Sequence, residues 1–254
     1  MSLLRAERVM TGRGLVRSLR DPDGTVTAVV APVAIMLLFV TVFGAAMEDM
    51  AGGSYVEYVT PGVMLLCAGF GAAMTATAVH ADLSTGVVRR LRTMPVRASS
   101  VITGHVAASV LRNLLSTAVV LLVAVALGFR PQAGPLEWLG AAALVAGYIT
   151  VLTVLAAAWG LASGGPDTAA TFAFAALFPP YLSTAFVPVE GLPGFLHGVA
   201  AHQPVTPVTE TLRALTSGAG PGEHAWAAVL WLTALGLAGA ALTGWLFRRA
   251  AGRR

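Results

Sequence analysis

The stretch TVTAVVAPVAIMLLFVTVFGAAM, residues 25–47, carries no charged side chain from end to end. A helix rises about 1.5 Å per residue, so about 20 such residues cover the ~30 Å hydrocarbon core of a bilayer. The run is too long for the apolar part of a secretory signal, and more runs like it follow, so it reads as an uncleaved anchor. Working outward, comparable stretches occupy Tyr58–His80, His105–Gly128, Leu136–Ala162, Thr168–Val187 and Ala225–Phe247. The fold class predicted is an all-α integral membrane protein of six transmembrane helices. One transmembrane domain fills residues 1–254, with spans one to five in 25–187 and span six plus a tail in 225–254.

All sixteen basic residues are arginine, and the placement of thirteen of them predicts orientation, Arg130 and Arg213 lying in loops of the opposite parity and Arg112 at the edge of a span. Arg5, Arg8, Arg13, Arg17 and Arg20 precede the first span. Arg89, Arg90, Arg92 and Arg97 sit between spans two and three, and Arg248, Arg249, Arg253 and Arg254 close the chain. Arginine near span ends resists translocation, so both termini and the 81–104 loop are expected in the cytoplasm. Residues 3–20, within a 1–24 leader to the first span, place Leu4, Leu15 and Leu19 opposite Arg13, Arg17 and Arg20 at helical spacing. That pattern fits a helix lying in the membrane interface, the alternative being a disordered basic tail. The 188–224 segment holds five prolines and two pieces too short to cross, Phe195–Ala201 and Val208–Ser217. Both are expected as interfacial or re-entrant helices on the outer side.

Composition excludes several chemistries. Hydrophobic residues make up 56% of the chain and charged ones 11%, and mean hydropathy is +0.77, so no soluble catalytic domain fits beside the spans. The net charge of +4 comes from arginines flanking spans, without the long basic run that nucleic-acid binding asks for. Without lysine there is no G-x-x-x-x-G-K-[ST] phosphate loop. No carboxylate lies well inside a span, which disfavours a pump driven by protons or sodium. The five histidines have no metal-ligand spacing, and Cys67 is the only cysteine. Ser163 lacks the G-x-S-x-G context of a serine hydrolase, so an intramembrane enzyme is disfavoured. Gly69, Gly71, Gly140, Gly147, Gly236, Gly239 and Gly244 are expected to permit close helix approach.

The sequence DLSTGVVRRLRTMPV, residues 82–96, is the most specific feature. On a helix, Val87, Leu91 and Met94 share a face, Arg89, Arg90 and Arg92 point elsewhere, and Pro95 ends the run. Spacing alone leaves two readings open: a helix that docks in a groove of a cytosolic partner, or a basic loop on anionic lipid.

That segment resembles the cytoplasmic loop of ABC type-2 permeases, specifically the daunorubicin-resistance subfamily, through Gly86, Arg90, Leu91, Pro95 and Val96. PVAIMLLFVTVFG (residues 32–44) resembles the family's first span, and QPVTPVTETLRAL (203–215) its signature before the last span. The chain departs in having Asp82 then Leu83 where many relatives carry glutamate. The resemblance implies a bacterial plasma-membrane permease, itself no enzyme and holding no cofactor. It would work with a second permease half, identical or not, and a cytosolic ATP-binding-cassette ATPase that binds ATP and magnesium. The fold it implies has outer re-entrant helices between spans five and six and a coupling helix. Gly86, Val87, Arg90, Leu91, Met94 and Pro95 would couple to the ATPase. Two halves would enclose an apolar path for an amphipathic drug, antibiotic or lipid-like cargo. Phe39, Phe43, Met64, Phe70, Phe174 and Phe178 are candidates for its lining, because such side chains adapt to varied apolar surfaces. The competing function is a non-transporting membrane scaffold or immunity protein.

Overall fold

The computed structural model describes residues 22–84 and 99–252, and all regular structure among them is helical. The predicted interfacial helix and the coupling residues Gly86–Pro95 lie outside the described residues. Helix α1 covers Pro22–Leu38, with Pro32 inside it. The chain continues through a π-helical turn, Phe39–Phe43, into α2 (Gly44–Ala51). Gly52, at φ 70°, caps that end in the left-handed conformation.

Three long helices follow the apolar runs: α3 (Tyr55–Ser84), α4 (Ser99–Ala126) and α5 (Pro135–Ala162). Pro135 starts α5, and a Glu137 carboxylate oxygen accepts the Gly134 N–H at 2.6 Å. Beyond them lie α6 (Pro166–Ala170), α7 (Phe172–Tyr181), a 3-10 turn at Val189–Gly191, α8 (Gly194–His202), α9 (Val205–Thr216) and α10 (Ala225–Gly252). Among the described residues, five helices are long and apolar enough to cross a membrane: 28–51, α3, residues 103–126 of α4, α5 and residues 225–249 of α10.

The expected fifth span is built differently. Residues 168–187 do not form one long helix. Two short helices meet at a turn at Thr171, and the pair ends at Tyr181. Pro179 and Pro180 explain the ending, since neither can donate to the preceding turn. The serine that follows fills in: Ser183 Oγ donates to the Pro180 carbonyl (2.6 Å) and accepts from Ala185 N–H (3.0 Å). The segment still runs along much of α3. Phe172 and Ala176 pack with Ala72 and Ala76. A methyl group on Gly69 would touch the Ala176 carbonyl at 3.0 Å, and one on Gly62 would meet Ala185 at 2.7 Å.

Helix α3 is the centre of the bundle. Its N-terminal half joins Met36, Val120, Phe129 and Phe186 around Tyr55, Val59, Val63 and Leu66. Another of its faces, at Met64, Leu65 and Ala68, meets Ala141–Ile149 of α5 and Val205, Val208 and Leu212 of α9. Helix α9 can be buried because its hydroxyls are used internally: Thr209, Thr211 and Thr216 donate to the Val205, Pro207 and Leu212 carbonyls. Outside this core, Leu122 (69% exposed), Leu136, Phe174, Trp226 and Leu237 form an apolar exterior that suits lipid.

Candidate functional site

Residues 85–98 join α3 to α4, and the described ends of these helices are held together by polar contacts. His105 Nε2 lies 2.8 Å from Asp82 Oδ2. Farther along, the Thr75 and Ser109 hydroxyls share a hydrogen bond of 2.6 Å, and Arg112 Nη2 donates to the Gly71 carbonyl at 3.4 Å. His105, Ser109, Asn113 and Thr117 recur every fourth residue, so they form one polar edge on a helix. Asn113 is fully buried against Gly71, where an added methyl group would overlap its side chain. Neither polar atom of the Asn113 side-chain amide makes a hydrogen bond. A buried unpaired amide costs about 1–3 kcal/mol. The four-residue polar repeat was readable in the sequence, but its partner helix was not. Asp82 and His105 were noted singly without being paired.

A second polar node was missed altogether. Arg213, on α9, donates from Nη2 to the Tyr58 carbonyl (3.1 Å) and the Thr184 carbonyl (3.0 Å), and from Nη1 to Glu210 Oε1 (2.6 Å). Its guanidinium sits 3.8 Å from the Tyr58 ring centroid. Tyr58 donates its hydroxyl to the Thr184 carbonyl at 2.8 Å, and Thr184 donates to Glu210 Oε1 at 2.5 Å. Charge-assisted bonds to backbone carbonyls fix geometry tightly, so this node ties α9, the turn after α7 and the start of α3 into one block. The i, i+3 spacing of Glu210 and Arg213 was the available signal. A cleft of about 430 Å³ opens beside it, lined by Gly53, Glu57, Arg130, Gln132, Arg213 and Ser217 among others.

The six candidate path residues sit in three different surroundings among the described residues. Met64 is closed into the core beside α5 and α9. Phe39 and Phe70 are partly buried against the cluster around Tyr55. Phe43, Phe174 and Phe178 face outward. Phe39 and Phe43 bound the π-helical turn, their ring centroids 5.5 Å apart, and Phe174 and Phe178 are 6.3 Å apart. Single π turns inside α-helices recur at functional sites.

A bundle of long apolar helices with a lipid-compatible exterior, joined at one end by an arginine-rich connection, defines a multi-pass membrane protein. The family model for the ABC-2 type transporter matches residues 5–216, and the chain belongs to that family. It is similar to the daunorubicin resistance ABC transporter permease protein DrrB1 of Streptomyces coeruleorubidus. The two are 26% identical over 198 residues, 78% of this chain and 70% of that one. It is also similar to the probable doxorubicin resistance ABC transporter permease protein DrrC of Mycobacterium tuberculosis, strain ATCC 25618 / H37Rv. There the identity is 27% over 217 residues, 83% of this chain and 76% of its relative. The chain is therefore the membrane component of an ABC-2 type exporter.

Proposed function

We propose that the chain is the permease half of an exporter for an amphipathic drug or antibiotic, powered by ATP that a separate cassette ATPase hydrolyses. The likeness to permeases named for daunorubicin and doxorubicin resistance carries this reading. The absence of lysine from the chain supports it, since phosphate-loop chemistry must then come from a partner. Arginine bias supports cytoplasmic termini and a cytoplasmic 81–104 connection. Six crossings are completed by 166–185, which passes from the Ala76 level of α3 to the Gly62 level. The fourteen helical steps of α3 between those levels rise about 21 Å. Helices α8 and α9 then form the outer re-entrant segment 188–224. Residues Gly86, Val87, Arg90, Leu91, Met94 and Pro95 dock on the ATPase, and Asp82–His105 braces the helices that carry them.

The apolar path lies between two permease halves. The outward-facing Phe43, Phe174 and Phe178, with Phe39 at the π turn, are suited to lining it. Met64 would join them only if α3 separates from α9. Purification of the tagged chain from its own membranes, with every copurifying protein identified, tests the assembly. Recovery of a cassette ATPase and ATP-dependent efflux of a fluorescent anthracycline are expected. Recovery of the folded chain without any ATPase would end the proposal.

A further inference from the structure

A groove opens where α4, α5 and α10 diverge, on surfaces that neither polar node nor the candidate path uses. Its volume is about 680 Å³, and Val106, Val110, Leu114, Val154, Gly244 and Phe247 supply much of its wall. Two of its hydroxyls are already committed within the bundle: Thr150 donates to Ala146 (2.7 Å) and Thr243 to Val154 (3.2 Å). The wall therefore asks for an apolar occupant. Along α4 the groove runs from Thr103 to Leu114, about 17 Å at the helical rise. That is close to half of the ~30 Å hydrocarbon core. At Leu114 it ends against the core cluster of α3, α5 and α9. A partner's transmembrane helix needs the full thickness, whereas the chain of a lipid in one leaflet needs only half.

The other end of the groove is positive. Gly244 leaves its floor open, and a methyl group there would meet only Arg248 Nη1, at 3.9 Å. Arg248 is exposed, and the Arg249 guanidinium lies 5.3 Å from the Trp245 ring centroid. A phosphate held at Arg248 would place an attached acyl chain over Gly244 and down the groove. Basic pockets between transmembrane helices suit anionic headgroups. We infer that this groove binds one acyl chain of an anionic phospholipid, with the phosphate on Arg248.

The test is native mass spectrometry of the full-length chain released from nanodiscs of mixed phosphatidylglycerol and phosphatidylcholine. The wild-type chain retains phosphatidylglycerol in preference to phosphatidylcholine. Arg248→Gln, a change at an exposed position, lowers that preference about fivefold. Ala240→Phe fills the groove and loses the retained lipid, whereas Leu139→Phe, on the exposed far end of α5, keeps it. Retention that mirrors the membrane mixture, or a preference unchanged in Arg248→Gln, overturns the inference. So does disulfide coupling of two copies through a cysteine at Ala240 in a Cys67→Ala background, which would give the groove to protein. The measurement does not depend on orientation in the cell, so its failure is separable from failure of the proposed topology.

Discussion

A methyl group on Gly160 would stand 2.3 Å from the Ala76 carbonyl, which is backbone and cannot swing aside. Gly160→Ala must push α5 from α3, and a loss of roughly 1–3 kcal/mol is expected, read as a lower unfolding temperature in detergent. An unchanged midpoint would mean the helices are not this close. Asn113 leads to the opposite expectation. Replacing an unpaired buried amide with an apolar side chain of similar shape removes its desolvation cost, so Asn113→Leu should raise stability by about 1–3 kcal/mol. A fall would reveal a partner for the amide. Arg213→Gln removes charge-assisted bonds to two backbone carbonyls and Glu210. A loss of roughly 1.5–3 kcal/mol is expected, with Glu137→Leu, at the neighbouring Gly220 contact, as a milder comparison. The sequence marked Gly69 and Gly71 as packing residues, and both are, but spacing could not name their partners. Gly244 was marked in the same way, yet only an arginine lies near it.

At the scale of elements, legibility followed length. Five of the six predicted runs became long helices near their predicted limits, because such a run satisfies its backbone internally wherever it lies. The two pieces of 188–224 were also legible as helices, observed as Gly194–His202 and Val205–Thr216. The 168–187 run was misjudged as one helix because hydropathy counts Pro179 and Pro180 as tolerable while the hydrogen-bond ladder does not. The burial of α9 was illegible for a related reason. Its threonines look polar in sequence, and only back-bonding to carbonyls makes them fit a core. The 85–98 connection carries its own prediction. If Val87, Leu91 and Met94 enter an ATPase groove, a charge among them must lose its water without a partner. Leu91→Asp should insert normally but lose the ATPase in pull-downs and abolish export, and Arg89→Gln should be milder. Normal ATPase recovery with Leu91→Asp would remove the coupling assignment. A greater effect of Arg89→Gln would favour lipid attachment instead.

For the whole molecule, orientation is the proposal most directly open to measurement. Glu223 has a 90% exposed side chain between α9 and α10, so Glu223→Cys in a Cys67→Ala background should react with an impermeant thiol reagent in intact cells. Ser99→Cys, beside the arginine-rich connection, should react only after the membrane is opened. The reverse pattern would invert the topology. The central position of α3 also has a consequence for biogenesis. The ribosome finishes α3 and then α4, and these can pair at once through Thr75–Ser109 and Asp82–His105. The bare backbone at Gly62 and Gly69, however, waits for residues 176–185, and the Ala76 carbonyl waits for Gly160. A nascent chain arrested after residue 126 would hold its glycine-notched side open to lipid or to the insertion machinery. Substitutions that delay 166–185 should therefore appear first as degraded, half-assembled chains, before any defect in transport can be measured.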